Sequence, residues 1–147
     1  MGLAYAEVEL INGNDLEFAK RNYIGQDEIK RMWLTMLVDT GSYTLAINES
    51  IQSQLQFTVR EKRRAQLANG DIVECDIVGP VELRFENRAT MCTAIVLPGD
   101  SEPLLGMIPL EDMDVLIDPL RQRLIVNPAH PDYPVSKVKS QKNICFA

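Results

Sequence analysis

Cysteine is scarce in this chain of 147 residues. Cys75, Cys92 and Cys145 make an odd number, with no Cys-x-x-Cys pair. That excludes a disulfide framework or a zinc knuckle as the organising principle, and it makes a reducing cytoplasm the expected compartment. Histidine is scarcer still. His130 stands alone in a proline-rich stretch, which counts against a Ser–His or Cys–His nucleophilic site. An excess of positive charge is missing too: the net charge is −6, the wrong sign for neutralising nucleic-acid phosphates. No stretch reaches the roughly 18 consecutive apolar residues that a membrane span requires. Met1 to Glu7 has neither the basic region nor the apolar run of a signal peptide. P-loop, Rossmann glycine and H-E-x-x-H patterns are absent. The expectation is a protein with no cofactor or metal that engages neither nucleic acid nor membrane.

What is present fits an ordinary globular domain, with 46% hydrophobic and 24% charged residues. The length suits one domain with a sizeable core. We place it at 1–127, followed by a Pro- and Lys-containing tail at 128–147. Short strand-like runs with frequent turns predict a mainly β barrel or sandwich. Residues 3–11 read as a strand, Asn12-Gly13-Asn14-Asp15 as a hairpin turn, and Leu16–Lys20 as the returning strand. Residues 29–38, apolar on both faces, read as a central buried strand. Asn48 is expected to cap a short helix over 49–55, with Ile51 and Leu55 on one face. Arg60-Glu61-Lys62-Arg63-Arg64 reads as a solvated connection. A second hairpin follows, with its polar tip at Asn69-Gly70-Asp71, and Gly79-Pro80 punctuates it. Strands are expected at 81–85, 91–97, 115–117 and 123–126, with a short helix near 109–113. Asp118, beside Pro119, reads as a turn former.

The chemistry concentrates at Asp39-Thr40-Gly41-Ser42, which follows the apolar run Met32–Val38 and occurs once. A carboxylate at the end of a buried strand is a liability unless it has a task or caps a turn. Amide hydrolysis supplies such a task. One carboxylate takes a proton from water while a second, protonated, polarises the carbonyl, and two adjacent carboxyls share a single proton. Gly41, lacking a Cβ, lets its backbone approach Asp39. Thr40 and Ser42 offer hydroxyls that could lock the turn or tune the carboxylate. The competing reading is an Asp that merely stabilises a strand end. The phosphorylated Asp-Lys-Thr-Gly of ion pumps differs by its lysine, and the other nucleotide-binding signals are missing.

Four anchors in order tip the balance: Met36–Ser42, then Gln66–Val73 leading to Val78-Gly79-Pro80-Val81, then Pro103–Met107, and finally Val115–Asp118 with Leu124-Ile125-Val126. From about Val8 to Pro128 the sequence resembles the retropepsin-like (retroviral-type) aspartic proteases, and more closely their small bacterial and archaeal relatives. The resemblance implies a closed-barrel acid-protease half with one or two short helices, paired with a second copy about a two-fold axis. It implies a homodimeric endopeptidase acting on a peptide or protein substrate, with Asp39 catalytic and Thr40, Gly41 and Ser42 forming the active-site loop. Ala68, Asn69, Gly70, Asp71 and Ile72 would belong to a substrate-covering flap spanning about 66–76. Leu104, Leu105 and Gly106 would support the catalytic loop.

The sequence also departs from the retroviral pattern. Tyr43 replaces a common acidic residue, Met107-Ile108 replaces an Arg-containing pair, and the flap tip carries one glycine. Those departures motivate an alternative, a catalytically weak or inactive dimeric module of the same fold. A single-chain β-barrel ligand binder with a structural Asp39 is more distant.

Overall fold

The computed structural model describes residues 3–138; Lys139, Lys142 and Cys145, read above as part of the tail or as thiols, lie outside them. The described chain is mainly β, with nine strands, three short α-helices and one 3-10 turn. No helix among the described residues is long and apolar enough to cross a membrane.

Strand β1, Ala4–Asn12, is the first departure from expectation, because no hairpin follows it. Asn12-Gly13-Asn14-Asp15 instead starts helix α1, Gly13–Lys20. The Asn12 side chain accepts a hydrogen bond from the Asp15 N–H at 3.1 Å and donates to the Leu55 carbonyl at 2.8 Å. This cap satisfies an N–H that the first helical turn would leave orphaned. Asp15 then binds both the backbone N–H and the ammonium of Lys30, at 3.0 and 2.9 Å, which ties α1 to the start of the next strand.

Strand β2, Arg31–Val38, is antiparallel to β1 over its whole length. Only its last two residues, Leu37 and Val38, pair on the other side, with the short parallel strand β7, Leu104–Leu105. The expectation of a central strand buried on both faces therefore fails for its first half. Arg31 to Met36 run along an open edge, and Trp33 is 67% exposed.

Strand β3, Leu45–Asn48, lies parallel to β6, Arg88–Leu97, and touches β7 at Ala46–Leu104. Asn48 caps helix α2, Glu49–Leu55, as expected, accepting from the Ile51 N–H at 2.9 Å. The charged stretch at 60–64 is not a connection. It forms most of strand β4, Thr58–Gln66, which pairs antiparallel with β5, Ile72–Phe85. Nor does Gly79-Pro80 end the hairpin: β5 runs through it, with that peptide bond cis and the β5–β6 register shifting between Val78 and Val81.

Helix α3, Met107–Met113, leads into strands β8, Val115–Asp118, and β9, Arg123–Val126. Asp118 accepts from the Leu120 and Arg121 N–H groups and so forms the turn between them, as expected.

The strands form one sheet in the order β4-β5-β6-β3-β7-β2-β1-β9-β8. Glu9–Asn12 of β1 also pairs with Val81–Arg84 of β5, so the path of strand pairing from β5 through β6, β3, β7, β2 and β1 returns to β5. The core lies within that path. Val8, Leu10, Met36, Leu45, Ile47, Val81, Leu83, Leu105 and Met113 are fully buried there, each contributing about 1.5–3 kcal/mol by leaving water.

Candidate active site

Asp39 is delivered by the end of β2, next to the core residue Val38. The strand that delivers it is clamped from the side: the Leu37 N–H donates to Pro103 and the Asp39 N–H to Leu105, at 3.1 and 2.9 Å. The chain then turns, with the Ser42 N–H returning to the Asp39 carbonyl at 3.1 Å. Among the described residues, the Asp39 carboxylate accepts one hydrogen bond, from the Gly41 N–H to Oδ1 at 3.0 Å. Oδ2 is left uncommitted, and the side chain is half-buried at the surface. The expected role of the Gly41 N–H is thus met. The Thr40 and Ser42 hydroxyls make no hydrogen bond to Asp39; Ser42 contributes through its backbone.

Leu104, Leu105 and Gly106 lie directly beneath this turn. Past Gly106, the Met107 N–H donates to the Ser42 carbonyl at 2.9 Å and the Ile108 N–H to the Tyr43 carbonyl at 3.0 Å. Two chain segments therefore cross at Gly106. A Cβ there would sit 2.7 Å from the Ser42 carbonyl oxygen and 2.8 Å from the Thr44 nitrogen, and closer still to the Thr44 carbonyl. Glycine is the only residue that fits. The crossing holds both sides of the turn with backbone bonds, so the position of Asp39 does not depend on flexible side chains.

Ala68, Asn69, Gly70, Asp71 and Ile72 come together elsewhere, at the tip of the β4–β5 hairpin. The Leu67 N–H donates to Asp71 and the Gly70 N–H to Leu67, at 2.8 and 2.9 Å. Asn69 accepts from the Asp71 N–H at 2.9 Å, and Gly70 has φ +92° with nothing near its missing side chain. Strand β4 is at the sheet edge and pairs with β5 alone, while β5 meets β6 only from Ile77 onward. The outer hairpin is thus a two-stranded arm without a third strand to brace it. No hydrogen bond among the described residues joins its tip to residues 39–42.

Residues 28–108 match the family model described as aspartyl protease. This chain belongs to the aspartyl protease family. The matched region is more than half of the chain, and it holds the Asp39 turn, the whole β4–β5 hairpin and the crossing at Gly106. A search among curated proteins found no match.

Beyond the family match, the structure reveals a cluster that the sequence did not signal. Asp114, in the left-handed conformation that ends α3, accepts from Asn127 Nδ2 at 2.9 Å and from the Val135 N–H at 2.9 Å. It also lies 2.6 Å from His130 Nδ1. These donors, Asn127 first, hold the carboxyl down at about 2. Arg88, fully buried, donates to the His130 carbonyl, and Asn87 donates to that of Pro131 at 2.9 Å. The tail segment up to Val135 is thereby fastened beside α3, with His130 among the residues that fasten it. Under α3, burial and then Asp112 push the Cys92 thiol up to about 12, which disfavours its thiolate. Cys75 and Cys92 are free thiols.

Proposed function

We propose that this chain works as a homodimeric aspartic endopeptidase. Asp39 and the partner's Asp39 would sit side by side at the two-fold axis, sharing one proton. The ionised carboxylate takes a proton from the attacking water, and the protonated one donates to the scissile carbonyl as the tetrahedral intermediate forms. Proton return to the amine nitrogen then lets the C–N bond break.

The observation that carries this reading is the Asp39 turn itself. It presents one accessible carboxylate, held by the Gly41 N–H and clamped at Leu105 and Gly106, in a chain whose family is proteolytic. A single chain supplies only one such turn, so the second carboxylate comes from a second copy, and an isologous interface brings the same loop to itself. Thr40, exposed and without a partner for its hydroxyl among the described residues, is placed to bond across to the other loop. The arm ending at Ala68–Ile72 serves as the flap that closes over a bound peptide and excludes water. The ring of strand pairing supports the closed-barrel form of each half. The substrate is a peptide or protein, and the free thiols support the cytoplasm as its compartment.

Asp39→Asn tests the mechanism. With a quenched-fluorescence peptide library, cleavage should fall by about 10³ or more, the scale of a lost general acid–base group. Equal cleavage by parent and variant overturns the assignment. Sedimentation should show a dimer, and specific activity should collapse on dilution below its dissociation constant. An active stable monomer overturns the shared dyad. A well-folded dimer that cleaves nothing would leave the fold as a binding module.

A further inference from the structure

We infer that the root of the β4–β5 hairpin carries a subsite for an acidic side chain of the substrate, with Arg60 as its reader; this rests on the peptidase reading above. A cavity of about 460 Å³ opens there, lined by Thr58, Val59, Arg60, Glu61, Arg63, Ile77 and Thr93. One of its walls is bonded to the chain that follows the Asp39 turn. Thr44, two residues beyond Ser42, donates its hydroxyl to the Thr93 carbonyl at 3.3 Å, and Thr93 forms one wall. The other wall is the base of the arm proposed to close over the peptide. A chain lying across Asp39 and under that arm therefore passes this cavity.

The cavity's charge is specific. The β4–β5 register slips between Val59 and Glu61, so Arg60 is the extra residue of a β-bulge. Bulges next to active sites re-aim side chains, and here the bulged residue is one that lines the cavity. Glu61 is already engaged by Arg63 at 2.6 Å, and Lys62 by Asp76 at 2.8 Å. Arg60 has no ion pair or side-chain hydrogen bond among the described residues. The cavity thus holds two guanidinium groups and one occupied carboxylate, which leaves one unpaired cation. A planar guanidinium presents paired N–H donors that match a carboxylate. Tyr43, 80% exposed beyond the turn, brings no carboxylate to this region. The ligand chemistry that fits is Asp or Glu, at a fixed distance from the bond being cut.

The test digests a proteome-derived peptide mixture with the full-length parent, Arg60→Ala and Arg60→Glu, and reads the cleavage sites by mass spectrometry. Parent sites should be enriched in Asp and Glu at one position. Arg60→Ala should lower kcat/KM for a Glu peptide relative to its Gln twin by about fivefold, the size of one partly exposed ion pair. Arg60→Glu should turn the enrichment towards Lys and Arg. Lys20→Glu, the same charge change at the end of helix α1 away from the Asn14–Thr58 contact, should leave the enrichment in place. A parent without positional acid enrichment, or enrichment that survives Arg60→Glu, overturns the inference and leaves the peptidase reading intact. If the parent cleaves nothing, that reading fails. The subsite is then judged by binding of Glu- and Gln-containing peptides to Asp39→Asn, where equal affinity overturns it.

Discussion

The catalytic turn and the hairpin tip are both short loops built around a glycine, and they are held in opposite ways. Residues 39–42 are anchored by backbone hydrogen bonds from a second segment of chain that crosses beneath them, with the core at their back. Residues 67–71 are anchored to one another and to the adjoining Gln66 side chain, on an arm that no third strand braces. Gly106 is required because there is no space; Gly70 is required because φ is positive and space is plentiful. The first arrangement fixes the position of the Asp39 carboxylate through backbone bonds on both sides of its turn. The second leaves an element with few contacts to hold it, the kind that opens at low cost.

Replacing each glycine tests the contrast directly. Gly106→Ala forces a methyl group into backbone atoms and should cost about 3 kcal/mol in denaturant unfolding, the upper range for overpacking. Gly70→Ala should cost about 1 kcal/mol or slightly more, from the unfavourable φ alone, while lowering activity more than stability. Equal losses at the two sites would erase the distinction. Hydrogen exchange gives a milder probe. The Asp39, Ser42, Met107 and Ile108 amides should be among the well-protected ones, and those of Ala68 and Asn69 should exchange within the dead time.

Two smaller effects bear on the elements that frame these loops. Asn48→Ala removes the cap of α2, just after β3, and should cost about 1 kcal/mol. Asp114 sharpens the comparison from outside the matched region. Its folded-state carboxyl is depressed to about 2, below the ordinary value near 3.9. Its contribution is therefore complete above about pH 4 and is lost as pH falls towards 2. Asp114→Asn should flatten stability against pH within that window and leave the profile above pH 5 unchanged, as measured by urea titration.

The site was more legible than the path leading to it. Asp39, Gly41 and the Leu104-Leu105-Gly106 element lie where the sequence put them, because a triplet after an apolar run and a glycine after two leucines carry local information. The errors came where one local pattern fits two tertiary contexts. Asn12-Gly13 suits a tight hairpin and a helix start equally; the choice was made by the Leu55 carbonyl, 43 residues away, which holds the Asn12 side chain. The apolar run at 31–38 signalled burial on both faces, but β7 covers only its last two residues, so Trp33 stays in water. Arg60–Arg64 looked like a connection because it is charged throughout and has no apolar face. It is a strand because it pairs along its length with β5, at the sheet edge where its own side chains stay exposed on both faces. The Asp114 cluster had no sequence signal, since its members are scattered from 114 to 135 and meet only when the tail lies against α3.

Strand β1 has a consequence for how the molecule comes into being. It pairs with β2 soon after it in sequence, with β5 at Val81–Arg84, and with β9 at Arg123. Strand β1 is thus among the last to be completed, since its partners lie at three widely spaced places in the sequence. Closure across such separations is slow relative to local pairing. A nascent chain halted before residue 120 can hold the β1–β2 ladder and the catalytic turn, yet it lacks the strand that seals the far side of β1. Completion of the β1 edge therefore waits on a segment far downstream in the sequence, and the fold is sealed by its most distant contact rather than by its local ones.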